Sequence, residues 1–152
     1  MNKKQMILAA LMIVVITGFS QAQTFYPALK GYSAEAKEQL DLAYASLLKS
    51  QNNHYIENAL ATVTMIKLDL PADKFPMIQN RIDTIAEHAT TPTIQYRASL
   101  AKAVFANTAF FKEEAACHYE TTDAFFSAVA ERAVKLNEYS LNSQASKEKH
   151  EK

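Results

Sequence analysis

Glycine occurs only at Gly18 and Gly31 in 152 residues, cysteine only at Cys117, and tryptophan not at all. Glycines so far apart cannot build a phosphate-cradling loop or a dinucleotide fingerprint, each of which needs several within one turn. A lone cysteine excludes an intramolecular disulfide framework and a cysteine-only zinc site. Neither charge sign is in excess, with 16 Lys and Arg against 16 Asp and Glu. No basic cluster is present to follow a nucleic-acid backbone. With four prolines, 49% apolar and 21% charged residues, the composition favours helices joined by short turns over strands, and the length suits one domain.

The first 22 residues read as a cleavable signal peptide. Lys3 and Lys4 precede an unbroken apolar run from Met6 to Ile16, and Ser20 and Ala22 are small residues at −3 and −1 of a cut before Gln23. Crossing the hydrocarbon core takes about 20 apolar residues. Here the run is interrupted by Thr17, Gly18, Ser20 and Gln21, so no stable membrane insertion is expected after cleavage. The cut removes two lysines and no acid, leaving 14 basic and 16 acidic side chains, a net charge of −2. No Asn-x-Ser/Thr sequon occurs, and the short signal fits a periplasmic or secreted bacterial protein. In an oxidising compartment the unpaired Cys117 also invites an intermolecular disulfide.

Five helices are expected in residues 23–141. After an aromatic lead-in, Thr24 to Tyr32, Ser33 caps the first, whose apolar stripe is Ala36, Leu40, Ala43, Tyr44 and Leu47. The second starts after Asn53, carries Ile56, Leu60, Val63, Ile66 and Leu70, and stops at Pro71. Asp73 is expected to cap the third, which buries Phe75, Ile78, Ile82, Ile85 and Ala86 and turns Lys74, Gln79, Arg81 and Asp83 to water. Thr91-Pro92 opens the fourth, apolar on most sides and therefore central. Phe110 and Phe111 plug the end of the core. The last helix is secure from Asp123 to Tyr139, with Phe125, Val129, Ala133, Leu136 and Tyr139 inward. Residues 142–152 are polar, without periodicity, and are expected to form a disordered charged tail. The fold class is thus all-α, four to five antiparallel helices, arranged as a bundle or as a short right-handed HEAT-like solenoid.

The solenoid alternative rests on a repeat. Leu60-Ala61 and Leu100-Ala101 are 40 residues apart, a period in the HEAT and armadillo range. The run IENALATVTMIKLDLP, a second amphipathic helix expected to pair with it as a hairpin, and then TPTIQYRASLAKAVF resemble HEAT-like helical hairpins. The proline after helix two and the Arg-Ala-Ser-Leu-Ala run carry the likeness. The chain is similar, over residues 53–106, to small exported all-helical proteins of Gram-negative bacteria with no assigned activity; the resemblance implies a fold but no site residues.

Chemistry-bearing residues are few. His54 and Glu57, at i and i+3, reverse the Glu-x-x-His order of di-iron bundles and occur once, which fits an exposed first turn. Cys117-His118-Tyr119-Glu120 gathers ligand-type side chains, but helical neighbours diverge by about 100° and do not chelate one ion. Arg97, Lys102 and Arg132 are scattered and expected to be solvated. Phe125-Phe126 is different: with Phe125 in the core, Phe126 falls at its margin, where with Phe111 and Ala130 it edges a groove for a partner helix.

These features lead to a non-enzymatic exported interaction module that binds a protein or peptide, with no cofactor, metal or nucleic acid. The alternative is a small apolar-ligand binder with a cavity between helices four and five. N-terminal sequencing of the exported protein should begin at Gln23; a chain that keeps residues 1–22 would be anchored instead.

Overall fold

The structure is a computed structural model that describes residues 31–150, with side chains to residue 139. The expected signal segment and the lead-in up to residue 30 lie outside the described residues. Five α-helices follow in order: α1 Ala34–Leu47, α2 Asn53–Asp69, α3 Pro76–His88, α4 Pro92–Ala106 and α5 Thr122–His150, with a short 3₁₀ turn at Lys112–Ala116 between the last two. Among the described residues there is no strand, and the fold is all-α. No described helix is long and apolar enough to cross a membrane.

Most helix starts obey local chemistry. Ser33 Oγ accepts from Ala36 N at 3.3 Å, Asn52 Oδ1 accepts from His54 N at 3.0 Å, and Thr121 Oγ1 accepts from Ala124 N at 3.1 Å. Each hydroxyl or amide oxygen satisfies a first-turn N–H that has no partner within the helix. Pro92 sits at the start of α4, where its missing N–H is harmless.

The start of α3 does not follow the local expectation. Its first turn is capped by Asp41, from the middle of α1, whose two carboxylate oxygens accept from Met77 N at 3.0 Å and Ile78 N at 2.8 Å. Asp73, the expected cap, instead pairs with Lys37 at 2.7 Å. The physical reason is that Pro76 leaves α3 with N–H groups beginning at Met77, and the carboxylate facing them belongs to the helix alongside. Asp41 is only 5% exposed, so its charge is stabilised by these donors in place of water.

The direction of each helix follows from such pairings. Lys37–Asp73, Asp41–Met77 and Leu48 O–Arg81 follow one another in the same order along α1 and along the chain through α3, so the two run parallel. Asn53–Thr91 and Glu57–Arg97 join the first turns of α2 and α4, which also run parallel. Asp83 on α3 meets Lys102 on α4, while four residues later Glu87 O accepts from Gln95 Nε2, seven residues earlier on α4, making that pair antiparallel. The packed neighbours are α3 with α4 and α1, α2 with α4 and α1, and α5 with α4 and α2. The hairpin expected of helices two and three is therefore not the packed pair. Lys67 shapes that connection by donating to Pro71 O at 2.9 Å and Asp73 O at 2.8 Å, which ties the end of α2 to the turn after it. Burial lowers the Lys67 pKa, and the nearby Asp73 partly opposes this.

The core is one cluster drawn from every helix. Leu60, Ala61, Val63, Ile66, Ile78, Ile82, Ala98, Ala101, Val104, Phe111, Phe125 and Val129 are all closed to water. The stripes of α2 and α3 fall where their periodicity puts them. On α4, expected to be apolar on most sides, Ile94, Ala98, Leu100, Ala101 and Val104 are buried, whereas Tyr96 is 58% exposed. Small alanines let α2 and α4 approach closely. Thr64, fully buried on α2, is satisfied by donating to Leu60 O at 2.6 Å.

The final helix differs from expectation at its far end. Phe125 and Val129 are buried, but Tyr139 is 70% exposed, not inward. The backbone of α5 also continues to His150, beyond the end expected at residue 141. Helix-favouring Ala, Lys and Glu, with no Gly or Pro, can sustain it.

Asp41→Ala leaves the buried Ile78 N–H and the half-buried Met77 N–H without an acceptor and should lower the unfolding free energy by about 1–3 kcal/mol, with Asp41→Asn losing roughly half as much. Urea unfolding would show this as a lower midpoint at unchanged slope. Burial also pushes the Tyr44 phenol up to about 12. The folded state thus holds that proton above the ordinary value of about 10, so this contribution is complete below the ordinary value and disappears as pH rises through the folded one. The alkaline loss of stability should be shallower in Tyr44→Phe, measured by urea titrations at a series of alkaline pH values.

Candidate functional site

At the end of the molecule where α1 and α3 finish and α2 and α4 begin, the chain leaves a cleft of about 320 Å³. Its elements are placed by the contacts described above. Arg81 Nε donates to Leu48 O at 3.3 Å, which holds the end of α1 against α3. Ser50 Oγ accepts from Asn52 N at 3.0 Å and shapes the turn into α2. Asn53 Nδ2 donates to Thr91 Oγ1 at 3.2 Å, which spans the starts of α2 and α4. Thr91 is thereby used across the helices and makes no side-chain cap to its own helix.

The cleft is two-faced. Leu48, Ile85 and Ile94 are buried at its base, with Ile56 half-buried beside them. Gln51, Asn53, His88 and Thr90 are exposed at its mouth, and Arg81 and Thr84 lie half-buried between. Among the described residues Arg81 and His88 are the only ionisable ones in the lining, and none of them is a carboxylate. Lys102 on α4 holds Asp83 at 3.1 Å and one oxygen of Glu87 at 3.6 Å, while the other oxygen of Glu87 lies 3.8 Å from His88 Nε2. The hydrogen bond to Asp83 and the charges of both acids raise the Lys102 pKa.

The residues singled out from sequence fall differently. Phe111 is fully buried and Phe126 is 4% exposed, while Ala130 is half-buried. The two phenylalanines expected to edge a groove are therefore core residues. The reason lies in what stands beside them. Phe110 and Phe111 meet edge to face at 5.6 Å, Phe125 and Phe126 lie 5.2 Å apart, and the Arg97 guanidinium covers the Phe126 ring at 5.6 Å. The cleft described above lies among α1 to α4, apart from the space between helices four and five where the small-ligand alternative placed its cavity.

Around Cys117 the structure builds a brace. Tyr119 OH donates to Glu114, and Arg132 holds Glu113, Glu114 and the Phe110 carbonyl, the last at 3.3 Å. Burial, then the bond to Glu114, pushes the Tyr119 phenol well above its ordinary range. Cys117 is exposed, with its thiol 3.5 Å from Glu113 O. Among the described residues no three His, Cys, Asp or Glu side chains are grouped to hold a metal ion. His54 and Glu57 have separate roles, His54 contacting Asn58 at 3.1 Å and Glu57 pairing with Arg97 at 3.3 Å. Arg97 and Arg132 are thus interhelical clamps and not the solvated charges expected of them.

Arg81 is the side chain whose placement sequence reasoning missed. Its signal was present: Arg81, Thr84, Ile85 and His88 follow the i, i+3, i+4, i+7 spacing of one helical face. No family model, no curated protein and no solved structure matches the chain.

Proposed function

We propose that the chain is a non-enzymatic helical interaction module, working outside the cytoplasm, that binds a protein or peptide through two stacked helical hairpins of HEAT-like kind. The parallel stacking of α1 on α3 and of α2 on α4 carries this reading. Their contacts join residues 36, 37 and 38 apart, close to the 40-residue offset between Leu60-Ala61 and Leu100-Ala101, and all four of these residues are buried. A side chain in one hairpin therefore has a counterpart one unit along. Arrays built this way present continuous surfaces on which extended partners lie. Export is inferred from the leader sequence alone.

Tyr55, Met77 and Tyr96 are exposed and suit photo-crosslinking residues that leave the core intact. In cells that export the chain, two or more of these positions should trap the same partner, and the purified pair should then associate. Different products at each position, or purified components that do not associate, would overturn the reading.

A further inference from the structure

We infer that the cleft between the helix ends binds a small carboxylate carried on an apolar body, either a free acid or the last residue of a peptide, with Arg81 as its anion partner. This rests on the reading of the chain as a binding module and assigns the chemistry of one site on it.

Three observations converge. First, among the described residues the cleft lining itself contains no carboxylate: Lys102 holds Asp83 and one oxygen of Glu87, and the other oxygen of Glu87 lies 3.8 Å from His88 Nε2 at the mouth, leaving Arg81 as the cation without an acid beside it. An anion entering here meets no carboxylate in the lining. Second, Arg81 is positioned in advance. Its Nε is tied to Leu48 O, and among the described residues no acid pairs with it, so its outer N–H groups remain for a ligand. A planar guanidinium matches the two oxygens of a carboxylate. A single half-buried cation suits a monoanion better than a doubly charged phosphate. Third, Leu48, Ile85 and Ile94 form a buried apolar base below the guanidinium, which requires an apolar group next to the carboxylate. The volume of about 320 Å³ is roughly twice that of the ~150 Å³ cavity that holds benzene. A branched aliphatic acid or a C-terminal leucine falls within that size.

The test is amide NMR of the purified chain with matched probes at millimolar concentration: isovalerate against isovaleramide, and acetyl-glycyl-leucine against its carboxamide. Isovalerate should shift the Thr84, Ile85 and Thr90 resonances, and isovaleramide should not. Arg81→Gln should weaken binding roughly tenfold or more, the loss expected when a charged hydrogen-bonding pair is broken. Because Arg81 also holds Leu48 O, a second variant avoids the framework: Gln51→Trp, at an exposed position, closes the mouth and should abolish the shifts. Equal response to acid and amide, no response to either acid, or full binding by Gln51→Trp would overturn the assignment, while leaving a partner on another surface open. Binding of both acids supports it with a peptide terminus as ligand. Binding of isovalerate alone supports it with a free acid as ligand and counts against a peptide in this cleft.

Discussion

The Asp41 carboxylate organises the molecule. It lies in the middle of α1, almost wholly buried, and accepts both free N–H groups at the start of α3. A charge in that position is tolerable only while those donors face it, and the donors are satisfied only while α1 lies alongside. One interaction therefore sets the separation and register of two helices that share no turn. Once α1 and α3 are aligned, Leu48 O comes within reach of Arg81, and the ends of both helices lie at the same end of the molecule.

The second layer is aligned by comparable means. Asn53 and Thr91, then Glu57 and Arg97, match α2 to α4 from their first turns. Arg97 also reaches Asp123 and covers Phe126, so the same guanidinium sets the start of α5. Arg132 repeats this logic at the other end, gathering Glu113, Glu114 and the Phe110 carbonyl. Ion pairs at exposed sites contribute little. These two are partly buried and bridge several elements, so they specify the arrangement more than they add to its stability.

The cleft is a by-product of that alignment. Parallel layers bring two helix ends and two helix starts together, and the connecting turns cannot fill the space between them. Its chemistry is then sorted by α3, whose acids face Lys102 while Arg81 faces the opening. The lining is left with Arg81, neutral polar side chains and an apolar base, and Glu87 reaches only as far as His88 at the mouth.

Much of this was legible in the residues themselves. Ser33 and Pro92 mark helix starts through chemistry confined to one turn, and the stripes of α2 and α3 predict their buried faces, because both signals depend only on neighbours within a few positions. The identity of the α3 cap, the burial of Phe126, the exposure of Tyr139 and the aim of Arg81 did not follow. Asp73 is near α3 in sequence and Asp41 is 37 positions from Ile78, yet Asp41 is the residue that faces the helix start. Periodicity states which side of a helix avoids water and is silent on which other helix will cover it. That choice was made only when the chain packed, since the partner of each buried donor, acid or ring is supplied by a segment distant in sequence.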